Sequence, residues 1–112
     1  MPCKVLIVTP DVRLGDATRA ALRRRGIEAS TCSSPEMALK ACHAEELDAV
    51  VVDLSLPRSS ALDLCRAIHS DVLTPVLVVG PQGTEEDARV LMRLGAEGFM
   101  RKPLPARELA AR

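Results

Sequence analysis

Hydrophobic positions along the chain follow two alternating periods. Val5-Leu6-Ile7-Val8, Ala49-Val50-Val51-Val52 and Val76-Leu77-Val78-Val79 are unbroken apolar runs rich in β-branched residues, the pattern of strands covered on both faces. Ile27 to Cys32 and Gly98 to Arg101 are weaker runs expected to flank them in the same sheet. Helical spacing fills the intervals. Leu14, Ala17, Ala21 and Leu22 form one stripe, which ends at Gly26 where a C-terminal cap belongs. Pro35 opens a second helix as a first-turn proline, with Ala38, Leu39 and Cys42 facing inward. Ser60 and Asp63 mark a third start, ahead of Leu62, Cys65 and Ile68. Thr84 with Asp87 marks a fourth, ahead of Ala88, Leu91, Met92 and Gly95. Pro105 to Arg112 begins a fifth helix.

Strand-then-helix units in regular alternation require a parallel sheet between helices, an α/β fold. Right-handed crossovers leave few topologies, and five strands fit the doubly wound, flavodoxin-like order 2-1-3-4-5 with helices on both faces. Chemistry in such folds gathers at the carboxyl ends of the strands. The residues to examine are therefore Thr9, Pro10 and Asp11; Asp53, Leu54 and Ser55; Gly80 and Pro81; Lys102 and Pro103.

Composition narrows the function. The 112 residues suit a single domain, 1–112, and the fifth helix has room for only eight residues, short of the usual ~10–14, so it is expected to be truncated. Fifteen basic residues balance fifteen acidic ones, which removes the positive field of a free-standing nucleic-acid binder. No apolar run reaches the ~18–20 residues needed to cross a bilayer, and no signal-peptide pattern opens the chain. A cytoplasmic domain with no direct nucleic-acid or membrane partner is expected. Cys3, Cys32, Cys42 and Cys65 contain no C-x-x-C pair and share no ligand spacing with His43 or His69, so they are expected to be structural, buried or half-buried thiols.

Asp53 follows three valines and Lys102 follows the last strand, so the predicted strand order brings a carboxylate and an ammonium toward one another. Taken with Val5 to Val8, Asp53-Leu54-Ser55-Leu56-Pro57, Leu94-Gly95-Ala96-Glu97-Gly98-Phe99 and Lys102-Pro103-Leu104, the chain resembles the receiver domain of bacterial response regulators over nearly its whole length. The resemblance implies a two-component or phosphorelay signalling role in which Asp53 is the phosphoacceptor for a partner histidine kinase. It also implies that Lys102 contacts the phosphoryl group, that Phe99 is the aromatic switch position, and that the Lys102–Pro103 bond is cis.

The sequence departs from that pattern at several positions. The two adjacent acids that hold Mg²⁺ in the family are Thr9 and Pro10 here, and Asp11 is the remaining acid of that loop. The switch hydroxyl after the fourth strand is Gly80, and the glycine that opens the third helix is Ala61. An attacking carboxylate and a phosphoryl group repel, and a divalent cation normally neutralises the developing charge. Asp11, Asp53 and Ser55, the last through its backbone carbonyl, make at best a weak Mg²⁺ site, and no other cofactor is expected.

Three readings follow. The leading one is an atypical, non-enzymatic receiver with a degenerate site. In it Asp53 and Lys102 persist as an ion pair, and the module acts through protein contacts largely independent of phosphorylation. The second is a working phosphoacceptor receiver with residual autodephosphorylation chemistry at Asp53. The third is a small-molecule-binding pseudo-receiver that uses the space left at Thr9, Pro10 and Gly80. Partners are expected to be a protein or output domain, or a second copy meeting the face built by the fourth helix, fifth strand and fifth helix, where Val90 and Leu94 extend the apolar stripe. Arg19, Arg23, Arg24 and Arg25 are expected to be a solvated face that suits the carboxyl end of the first helix; the alternative, which the resemblance implies, is a docking surface for a kinase or phosphotransfer partner. Gly80-Pro81-Gln82-Gly83 lacks any phosphate-loop spacing and reads as a plain βα turn.

Overall fold

The computed structural model describes residues 3–71, 74–81 and 83–102. The elements run β1 (Lys4–Val8), α1 (Val12–Arg23), β2 (Glu28–Cys32), α2 (Pro35–Ala44), β3 (Ala49–Asp53), α3 (Arg58–Asp71), β4 (Val76–Gly80), α4 (Glu85–Arg93) and β5 (Gly98–Arg101). All pairings are parallel, and the sheet order is β2-β1-β3-β4-β5, as the alternation predicts. The fifth helix and the Lys102–Pro103 bond lie outside the described residues.

Alternate residues of each buried strand feed two separate cores. Leu6, Val8, Val50, Val52, Val76 and Val78 pack with Ala38 and Cys42 of α2, with Ala61, Leu64, Cys65 and Ile68 of α3, and with Leu91 of α4. Val5, Ile7, Val51, Leu77, Val79 and Met100 pack on the other face, with Leu22 of α1. That division explains why the strand sequences show no polar alternation: both faces are covered.

The structure corrects four local expectations. First, the inward face of α1 is Gly15, Thr18 and Leu22, whereas Ala17 is exposed and Leu14 half-buried. Gly15 sets this face, because a Cβ there would lie 3.3 Å from the methyls of both Thr9 and Thr31. The helix thus packs tightly against these two threonines where its side chain is smallest. Second, α3 starts at Arg58, not Ser60, directly after Pro57, whose carbonyl accepts the Ala61 N–H at 3.0 Å. Third, Met92 is 43% exposed and Ala88 and Leu91 alone form the buried stripe of α4. Fourth, Cys3 is exposed, whereas Cys32 is half-buried and Cys42 and Cys65 are buried. Burial pushes the Cys65 thiol up to about 11, which suits a packing role over a reactive one.

Ile68 is fully buried at the centre of the larger core. Replacing it with alanine should lower stability by about 3 kcal/mol, read as a reduced urea midpoint with little change in slope. A loss below about 1 kcal/mol would contradict the packing described.

Candidate functional site

The site is assembled by strand termination. Asp53 is the last residue of β3 and its side chain is essentially sealed from solvent. Its neighbours come from three chain segments that the parallel order brings together: Thr9 after β1, Ser55 after β3, and Lys102 after β5. The Thr9 hydroxyl donates to Asp53 Oδ2 at 2.6 Å. The Lys102 ammonium lies 2.8 Å from the same oxygen. The Ser55 backbone N–H donates to Oδ1 at 2.8 Å. Lys102 also donates to Ser55 Oγ at 2.9 Å, which closes the group, and its backbone N–H donates to the Gly80 carbonyl at 2.9 Å. Among the described residues no buried side-chain nitrogen or oxygen lacks a partner.

Opposing effects act on the carboxylate. Burial pushes the Asp53 carboxyl up, but hydrogen bonds from Lys102, Thr9 and the Ser55 N–H, together with the Lys102 charge, outweigh it and hold the group below its ordinary value. Asp53 is therefore an anion at neutral pH, neutralised from inside the protein.

The remaining residues singled out in the sequence take different places. Asp11 is exposed, and its carboxylate accepts the Leu14 N–H at 3.2 Å, capping α1. Its own N–H donates to Thr9 Oγ1 at 3.1 Å, so the loop after β1 is tied to Asp53 through a hydroxyl. Pro10 is exposed. Gly80 ends β4, and Phe99 lies half-buried on β5 against the larger core. Ala61 is buried in that core. Ser55 enters through its side chain and N–H, a role its sequence position did not disclose.

A divalent cation needs several oxygen acceptors. The groups that face Asp53 are instead three donors, one of them already a cation. Among the described residues no three histidine, cysteine or acidic side chains gather as a metal site. The donor set does not fit Mg²⁺.

A carboxylate and a lysine meeting at the carboxyl ends of a doubly wound parallel sheet are the arrangement that the resemblance to receiver domains implies. The comparisons agree: residues 5–112 match the response regulator receiver domain model, and the chain belongs to that family. It is 36% identical over 108 residues to the sensory transduction protein RegX3 of Mycolicibacterium smegmatis, covering 96% of this chain and 47% of that protein. It is 31% identical over 110 residues to the alkaline phosphatase synthesis transcriptional regulatory protein PhoP of Bacillus subtilis, covering 97% and 46%. The chain thus spans about half the length of the curated relatives it matches. A response regulator receiver protein from Burkholderia phymatum superposes with a TM-score of 0.82 at 26% identity, over 97% of this chain and 93% of that one. The chemotaxis protein CheY4 of Vibrio cholerae shares the fold alone, with a TM-score of 0.88 at 21% identity over 99% and 95% of the two chains.

Removing the cation strands a buried charge. Lys102→Met should destabilise the chain by about 3 kcal/mol at neutral pH, and Asp53→Asn in the same chain should recover most of that loss. Because the folded Asp53 carboxyl is lowered, its contribution is fully present above the unfolded carboxylate value and is lost as pH falls through the folded one. Urea midpoints measured from neutral to acid pH should therefore fall more steeply in the parent chain than in Asp53→Asn. Equal slopes would contradict the assignment.

Proposed function

We propose that this receiver domain is an interaction module whose Asp53 is retained as an internally neutralised structural anion, not as an efficient phosphoacceptor. The observation that carries this reading is the set of donors around the carboxylate: one oxygen takes the Thr9 hydroxyl and the Lys102 ammonium, the other the Ser55 N–H. A phosphoryl donor approaching Oδ2 of Asp53 must displace Lys102 or Thr9 from a buried oxygen. It would do so without a second carboxylate alongside to hold a cation, since Asp11 is committed to α1. Signalling then runs through protein contacts in the cytoplasm. The working face is built on α4 and β5, where Val90, Met92 and Leu94 leave apolar surface beside the Glu85–Arg101 pair. An output domain or a second copy of the chain is the partner that surface serves. The exposed arginines closing α1 offer a separate surface to an acidic partner. Direct nucleic-acid contact is not part of this reading, because the charge is balanced overall.

One observation favours the second reading, a phosphoacceptor served by a histidine kinase. Lys102 keeps a fifth of its side-chain surface exposed and reaches Ser55 Oγ, so an anion arriving from solvent would meet an ammonium and a hydroxyl first.

A ¹⁵N NMR titration separates the two. Mg²⁺ at millimolar concentration, followed by beryllofluoride as a phosphoryl mimic, should leave the Asp53, Ser55 and Lys102 amides without saturable shifts. Saturable shifts there, followed by movement of the α4 amides, would establish the phosphoacceptor and overturn the proposal.

A further inference from the structure

On the sheet face that α1 covers, side chains become smaller toward the amino ends of the strands. Ala49 opens β3 level with Val5 of β1, two residues before Val51 pairs with Leu77 of β4. An alanine among these larger neighbours leaves space that Leu22, in the last turn of α1, does not fill. The result is a cavity of about 320 Å³ at the opposite end of the sheet from Asp53. Its walls include Val5, Leu22, Val51 and Leu77, none more than 9% exposed, so it is a crevice into the fold and not a patch on its surface. The mouth has a different character. Asp48 and Glu97, both exposed, stand there immediately before β3 and β5. No lysine, arginine or histidine lines the cavity. Asp48 accepts the Lys4 N–H at 2.7 Å, whereas the Glu97 carboxylate takes no hydrogen bond or ion pair among the described residues.

We propose that this cavity is a binding site for a small amphiphilic cation. An unbranched apolar chain enters the crevice beside α1, and the ammonium it carries stays at the mouth between Asp48 and Glu97. Each half of the ligand follows from one half of the site. The volume falls at the lower end of small-molecule sites, ~300–1,000 Å³, and removal of alkyl surface from water drives entry. The walls lie too deep for the surface of a folded partner to reach them, which selects a single chain. At the mouth the carboxylates remain hydrated. The ammonium therefore keeps much of its own water while it sits in a negative local field. An anionic chain of the same length meets repulsion at the same place. The site is separate from the Asp53 bonds and does not depend on whether Asp53 accepts a phosphoryl group.

A ¹⁵N NMR titration of the 112-residue chain at neutral pH tests the proposal, with octylammonium, octanol and octanoate each kept below its aggregation concentration. Octylammonium should shift the Val5, Ala49, Val51 and Leu77 amides saturably. It should bind about ten-fold more tightly than octanoate, the difference expected when attraction to two exposed carboxylates becomes repulsion. Asp48→Asn combined with Glu97→Gln should erase that preference, while octanol still shifts the same amides. Ala49→Leu, which fills the cavity, should abolish binding of all three. Absence of saturable shifts at those amides, shifts spread through the whole spectrum, or octanoate binding as tightly as octylammonium overturns the proposal. Should Ala49→Leu not fold, the Asp48→Asn, Glu97→Gln variant decides: loss of the preference supports the site, and an undiminished preference overturns it.

Discussion

A carboxylate sealed beneath the carboxyl ends of a parallel sheet is tolerable only if something neutralises it, and the loops of this site are arranged around that requirement. An unpaired anion at Asp53 would be costly enough to shift its own protonation or open the fold. The chain meets the requirement with its own residues, drawing on β1, β3 and β5 together. The Asp53 bonds therefore act as a clasp across three loops that are distant in sequence, with Thr9 and its acceptor 44 positions apart. The loop after β1 is anchored twice, through Thr9 to Asp53 and through Asp11 to α1.

The same clasp is the observation on which the proposed reading rests. A receiver that binds Mg²⁺ keeps acceptors around its phosphorylatable carboxylate, because the metal supplies the positive charge. Here the loop after β1 offers Thr9 and Pro10 where the family has its two acids, and Lys102 lies against the carboxylate. Lys102 neutralises Asp53 without a ligand. An arrangement of this kind favours constancy over response, which agrees with a module whose contacts do not wait for phosphorylation.

The fold was legible because its strands are continuous apolar runs, and such runs leave little ambiguity about period. Asp53 and Lys102 were legible for a related reason: each stands where a run ends, and the strand order puts the ends together. Thr9 was read as the loss of an acid and not as a donor, since a threonine in a loop carries no sign of what its hydroxyl will meet. The face of α1 was misread because pattern reading weights large apolar residues, whereas the closest approach to the sheet is made by Gly15, whose signal is an absence. Thr84 with Asp87 looks like a helix cap in sequence. In the fold its hydroxyl turns instead toward Pro81, over Gly80.

The central claim, that internal donors have withdrawn Asp53 from phosphoryl chemistry, is tested most directly by exposure to acetyl phosphate and Mg²⁺ with intact-mass detection, using Asp53→Asn as the control. Transfer would join the carboxylate to the phosphoryl group as an acyl phosphate and release acetate. The account predicts no added phosphoryl mass beyond the Asp53→Asn background at times when a responsive receiver from the same family is substantially modified. Stoichiometric addition that disappears in Asp53→Asn would contradict it.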